Sequence, residues 1–169
     1  DTFRNTGATQ IGGKGKIEFR RPRPAPYAST GFQVIVPGGP LSSFGTLGIN
    51  SPSSLSLNSG DLKIRDSLQF ISGHILLDQH DLIIGNGNPG VITGYDENHF
   101  VVTNGNTTDT VKGFLIRENV GSGPVVFPVG QAIGDYTPAS LSNTGPVDNF
   151  KVRIFDTAYE EGYSLLTTI

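Results

Sequence analysis

Three histidines, a set of loop carboxylates and one glycine–lysine run are the residues whose types and spacing could do chemistry in this chain. His74 and His80 stand six residues apart, and His99 follows. A metal site needs ligands that converge. A six-residue step puts these two on successive strands or turns, pointing in different directions, so the histidines read as surface or turn residues. Asp61 and Asp81 are 20 residues apart, with Asp78 close by. Paired carboxylates are the tools of polysaccharide-cleaving enzymes, and this is the strongest such pair in the chain. Its basic neighbours, Lys63 and Arg65, occupy solvent-facing strand positions, and no long loops flank it to wall a cleft. No catalytic residue is assigned, and the chain reads as a non-enzyme.

Calcium is the one cofactor with candidate ligands. Asp78, Asp81, Asn86, Asn88 and Asp96 offer hard oxygens in loops, the ligand type that calcium takes. Their spacing fits neither a twelve-residue helix–loop–helix site nor a glycine-rich nonapeptide repeat, and turn formation explains the same residues. Gly12-Gly13-Lys14-Gly15-Lys16 lacks the spacing, the following Ser or Thr and the helix of a phosphate loop. It reads as a turn. Arg20-Arg21-Pro22-Arg23-Pro24-Ala25-Pro26-Tyr27 predicts an extended polyproline segment, either a docking peptide or anionic-glycan contact, or a stiff loop protecting a sheet edge. Tyr95, with Asn98 and Asn104, is the best candidate for stacking on a sugar ring and hydrogen-bonding its hydroxyls.

The elements that must position these residues are short strands. Between Leu47 and Ile84 the pattern apolar-x-apolar recurs at Leu47/Ile49, Leu55/Leu57, Leu62/Ile64, Leu68/Phe70, Ile75/Leu77 and Leu82/Ile84. Each is a strand with alternate side chains inward. The first members are spaced 8, 7, 6, 7 and 7 residues apart, with turn formers such as Asn58-Ser59-Gly60 and Ser72-Gly73 between. Taken in threes, Leu47 and Leu68 are 21 apart, and Leu55/Ile75 and Leu62/Leu82 are 20 apart. A three-sided coil of that length stacks these residues on each other, the signature of a short right-handed parallel β-helix, or β-solenoid. An antiparallel meander is the alternative, but a spacing near seven leaves strands too short for good hairpins. Ile17-x-Phe19 and Phe32-x-Val34 extend the stack at one end, and Val91-Ile92 and Phe100-x-Val102 at the other.

Composition agrees with many strands and turns. Gly and Pro supply 34 of 169 residues, too few for a low-complexity disordered chain, and the hydrophobic residues, at 36% below a typical globular share, are regularly spaced rather than absent. Without Cys there is neither a disulfide framework nor a thiolate site. Residues 1–23 carry a net charge of +4 and the remainder −7. That basic cluster is short and proline-rich, which argues against nucleic acid as a partner. No apolar run approaches the roughly 18 residues needed to cross a membrane. The texture changes at Gly121-Ser122-Gly123-Pro124, after which Phe150-Lys151-Val152-Arg153-Ile154 alternates as a half-buried strand. The expected organisation is therefore an N-terminal β segment over 1–43 that caps or extends the stack, coils over 44–120, and the start of an antiparallel β-sandwich module over 121–169 that continues beyond Ile169. The weak helical pattern of 157–166 is interrupted by Gly162.

Val101-Val102-Thr103-Asn104-Gly105, Gly113-Phe114-Leu115-Ile116-Arg117, Phe127-Pro128-Val129-Gly130 and Tyr136-Thr137-Pro138 follow the coils in that order. Over about residues 44–155 the chain resembles a recurrent module of large Bacteroidetes cell-surface proteins exported by type IX secretion. In that module a G-x-L-x-R, F-P-V-G, Y-x-P series follows coils rich in L-x-L-x-x-G-x-L-x-I. The resemblance implies an adhesin-like structural protein, displayed outside the bacterial cell, with roles in cell adhesion or gliding motility and no catalytic residues. Its implied partners are flanking modules of a longer chain, or copies of itself, and surface glycans. Carbohydrate binding stands as the alternative function, and a polysaccharide-processing β-helix enzyme as the third.

Overall fold

The computed structural model describes residues 2–4, 13–20, 33–37, 43–103 and 113–154. The proline-rich 21–27 stretch, Phe32, Asn104, the 157–166 pattern and the terminal Leu165–Ile169 run lie outside the described residues. Among the described residues the protein is all-β, with no helix.

The strands in chain order are β1 (Thr2–Arg4), β2 (Lys16–Arg20), β3 (Gln33–Val36), β4 (Ser43–Asn50), β5 (Leu55–Leu57), β6 (Leu62–Ser72), β7 (Ile75–Leu76) and β8 (Leu82–Ile84). They continue with β9 (Val91–Thr93), β10 (Val101–Val102), β11 (Leu115–Val120), β12 (Val125–Phe127), β13 (Val129–Gly130), β14 (Ala139–Leu141) and β15 (Asp148–Val152). The chain passes back and forth between two sheets. The first has the order β1-β3-β5-β7-β10-β13, every neighbour parallel. The second has the order β15-β11-β8-β6-β4-β2, parallel except for the antiparallel pair β11–β15, and β9 also pairs parallel with β6. A small antiparallel pair, β12–β14, stands apart.

Aliphatic residues stack in register across these ladders. Leu47 is the partner of Leu68, Leu55 of Ile75 and Leu62 of Leu82, the three pairs that the 20- to 21-residue spacing predicts. Ile17 adds to the row under Leu47, and Ile92 above Leu68. Every one of Leu47, Leu55, Leu68, Ile75 and Leu82 is fully buried. With Ile49, Leu57, Leu62, Ile64, Leu77 and Ile84 they form one core between the sheets. A parallel strand buried this way excludes water from its ladder and stabilises by roughly 1.5–3 kcal/mol per aliphatic side chain.

Three details depart from expectation. First, Leu62/Ile64 and Leu68/Phe70 are not separate sides. They belong to one 11-residue strand, β6, whose inward alternation breaks over Arg65-Asp66-Ser67, where the register against β4 also shifts between Phe44 and Thr46. A bulge bends a strand while keeping it in its sheet, so two of the three expected sides share one sheet. Second, the inward residues of β3 are Gln33 and Ile35, not Val34. Gln33 is a polar residue kept inside because its amide donates to the Arg20 carbonyl at 2.9 Å. Third, the step between paired residues is not constant: it is 30 from Ile17 to Leu47, 20 from Leu62 to Leu82 and 33 from Leu82 to Leu115, the last because turns at 85–90 and 94–99 add length between strands.

From Gly121 onward antiparallel pairing appears, in β12–β14 and β11–β15. Yet β13 adds to the first sheet and β15 to the second, and Phe127 and Val129 lie in the same core as the earlier strands. Thr103 ties the end down: its hydroxyl accepts from Ile154 N at 3.1 Å, and its own N–H donates to the Gly130 carbonyl at 2.9 Å. Two corner glycines allow successive layers to approach. Gly73 (φ +84°) and Gly94 (φ +71°) have a backbone carbonyl, of Ser51 and Phe70 respectively, where a Cβ would stand.

Candidate functional site

Polar residues at the corners bond from one layer to the next. The Asp81 N–H donates to Asp61 Oδ1 at 3.0 Å, and Asp81 Oδ1 in turn accepts from Gly113 N at 3.2 Å and Phe114 N at 3.0 Å. The two carboxylates do stack, as their spacing predicts, but each faces backbone N–H groups of the following layer rather than a shared cleft. His80 Nδ1 accepts from Gly60 N at 3.1 Å, and Ser56 Oγ donates to Asp78 Oδ2 at 2.9 Å. His74 N donates to Ser54 Oγ at 3.1 Å. His74 stands in the corner between β6 and β7, a turn position as expected, but it is buried there with its ring edge-on to Phe100, centroids 4.6 Å apart. Burial pushes its pKa below 6.5, helped by the charge of nearby His99 and opposed by Asp96.

The oxygens considered for calcium have local partners. Asp78 and Asp81 are bonded as above. Asn88 Oδ1 accepts from Gly90 N at 2.8 Å, and Asn86 N donates to the Asn88 carbonyl, closing one turn. Asp96 Oδ1 accepts from Asn98 N at 2.7 Å and lies 3.0 Å from His99 Nδ1. The Asn98 N–H holds the Asp96 carboxyl below its ordinary range, with His99 adding to it. Among the described residues no three His, Asp or Glu side chains gather into a group able to hold a metal ion.

The described residues also line concavities. One, of about 370 Å³, is lined by Leu76, Asp78, Val102, Ala132 and Ile133. Another, of about 250 Å³, lies between the β8–β9 turn, β9, β11 and β12 and is lined by Val91, Ile92, Tyr95, Arg117, Pro124 and Val125, among others. Tyr95 is half-buried there. Asn98, expected beside it, is exposed in the Asp96–His99 turn and does not line the cavity.

Arg117 is the residue that sequence reasoning missed. It sits on β11 two positions after Leu115, on the inward parity of the strand, and is only 4% exposed. Nε donates to the Pro89 carbonyl at 2.8 Å, Nη2 to Gly90 at 2.9 Å and Nη1 to Val126 at 2.8 Å. The guanidinium thus joins β11 to the β8–β9 turn and to β12. Among the described residues no carboxylate pairs with it. Desolvation lowers its pKa to about 10, with Tyr95 acting the other way, so the cation persists at neutral pH. The signal was present in Leu115-x-Arg117, an alternation that puts the arginine on the buried face, but arginine is a residue normally expected outside.

No protein-family profile, curated protein or solved structure matches this chain.

Proposed function

We propose that this chain is a structural and adhesive module of a secreted bacterial cell-surface protein, built as a right-handed parallel β-helix and without catalytic activity. The observation that carries the reading is the continuity of the interlayer ladder. Each described layer bonds to the next through both long sheets, through in-register aliphatic rows, and through corner side chains such as Asp61, Asp81 and Ser54. Coils of this kind cannot bury their apolar faces alone and are stable only as a stack. Such a stack resists local opening and proteolysis along its length, which suits a spacer that holds other modules away from a cell. The candidate acids support it too, since their carboxylates serve backbone N–H groups. The extracellular, type IX-exported setting rests on the resemblance of the Gly113–Arg117, Phe127–Gly130 and Tyr136–Pro138 motifs. Flanking modules or further copies would continue the stack at its ends.

Antibodies raised against this chain should label intact, unpermeabilised source cells. Pulling the chain between its termini should give cooperative rupture rather than gradual extension. Labelling only after permeabilisation, or featureless extension at low force, would each refute the proposal.

A further inference from the structure

The cavity between Tyr95 and Arg117 combines features that a merely structural arginine does not need. A buried cation without a carboxylate partner is costly unless its charge is met. Arg117 has five N–H donors, and its three hydrogen bonds to carbonyls engage one on each nitrogen. One N–H on each terminal nitrogen is left beyond those bonds, and the residue lines an open concavity despite its burial. A planar carboxylate takes two such donors side by side, the geometry in which guanidinium is strongest. The remaining lining mixes polar surface with the Val91, Ile92, Pro124 and Val125 side chains and Tyr95. At about 250 Å³ the space falls just below the roughly 300–1,000 Å³ usual for drug-sized ligands, which suits one small ring.

We propose that this cavity binds an acidic sugar, a pyranose carrying a carboxylate, with Arg117 receiving the carboxylate and Tyr95 packing on the ring. The proposal goes beyond the structural reading and does not depend on it: a chain with no affinity for such a sugar would still be a stacked, force-resistant module.

The test is calorimetric titration of the full chain with the sodium salt of methyl glucuronide, with methyl glucoside and sodium acetate as the separate halves of the ligand. The glucuronide should saturate with a Kd at least about tenfold below that of either half, a difference of about 1.4 kcal/mol. Val91 is 53% exposed and lines the cavity, so Val91→Glu sets a competing carboxylate at the site without disturbing the core. It should abolish glucuronide binding while leaving the melting temperature no lower than the parent's. Arg117→Lys, which keeps the charge and loses the fork, should weaken binding at least tenfold if it folds. Absence of saturation with the glucuronide overturns the proposal. So does acetate or glucoside binding as tightly, or a folded Val91→Glu chain that binds as well as the parent.

Discussion

The two long sheets are made by the same passes of the chain, yet they are held by different means. In the first, strands β5, β7, β10 and β13 are only two or three residues long. Their register is reinforced at the corners, where Leu55 N donates to the His74 carbonyl, Ile75 N to Phe100 and Val101 N to Pro128, and where Ser54 and His74 add side-chain bonds. In the second, β4 and β6 run for 8 and 11 residues and share most of their length, so aliphatic rows define the register there, while the shorter β8 and the start of β11 carry corner bonds of their own through Asp61 and Asp81. Length and polarity substitute for one another. Where a strand is too short for its side chains to specify a register, polar corner residues supply it.

The most damaging way to break that comparison is to hollow the second sheet. Leu68 is fully buried between Leu47 and Ile92, in a core with neighbours on both sides. Leu68→Ala should cost about 2–5 kcal/mol in denaturant unfolding, with an unchanged m-value. Val152→Ala, on the half-buried antiparallel strand β15, should cost less than about 1.5 kcal/mol. Equal losses at the two positions would mean that burial in the stacked rows has no special weight.

The corner bonds come next. Asp81→Ala removes the acceptor of two backbone N–H groups, of Gly113 and Phe114, that lead into β11. A loss of about 1–3 kcal/mol is expected. Hydrogen exchange should show the added opening first at Phe114 and Leu115, while β4–β6 keeps its protection. Uniform loss of protection in both sheets would show that the corners do not act locally.

These two effects also mark what could and could not be read from sequence. The rows Leu47/Leu68, Leu55/Ile75 and Leu62/Leu82 were legible because burial on one face forces a two-residue alternation and a fixed layer spacing. The merging of two sides into β6 was not, because a bulge at Arg65–Ser67 leaves no apolar mark. A fixed period also could not anticipate the 33-residue step from Leu82 to Leu115, since inserted turns change the spacing without changing the parallel pairing. At the candidate site, Tyr95 stood out as an aromatic beside polar residues, but Asn98 is exposed in its own tight turn and does not line the cavity. Arg117 was hidden by its type. Asp61 and Asp81 were paired correctly in space, and only the hydrogen-bond partners reveal that each serves the next layer.

The corner at His74 gives a smaller, pH-dependent effect. Burial lowers its folded pKa below 6.5, so the unfolded chain binds the proton more readily than the folded one. The stabilisation is fully present above about pH 6.5 and is lost as pH falls through the folded value. Melting temperature should therefore drop between pH 7.5 and pH 5. His74→Gln, which removes the titration, should flatten that drop while lowering the plateau at pH 7.5. An equally steep fall in the variant would assign the dependence to other groups.

The smallest effect lies at the β2 edge of the second sheet. There Glu18 accepts from Asn50 at 3.1 Å and Arg20 at 2.8 Å and pairs with Lys16 at 3.0 Å. The Asn50 hydrogen bond, then Lys16 and Arg20, hold its pKa at about 2 against an ordinary 4.5. Since the folded value is depressed, the contribution is complete above about pH 4.5 and vanishes as pH falls toward 2. Exposure and salt screening keep it small. Glu18→Gln should lower the melting temperature slightly at pH 6 in low salt, less so in 1 M salt, and not at all near pH 2. A difference that persists at pH 2 would locate the role of Glu18 in packing on the edge strand rather than in its charge. The contrast between short strands held at polar corners and long strands held by aliphatic rows would then have to be redrawn at that edge.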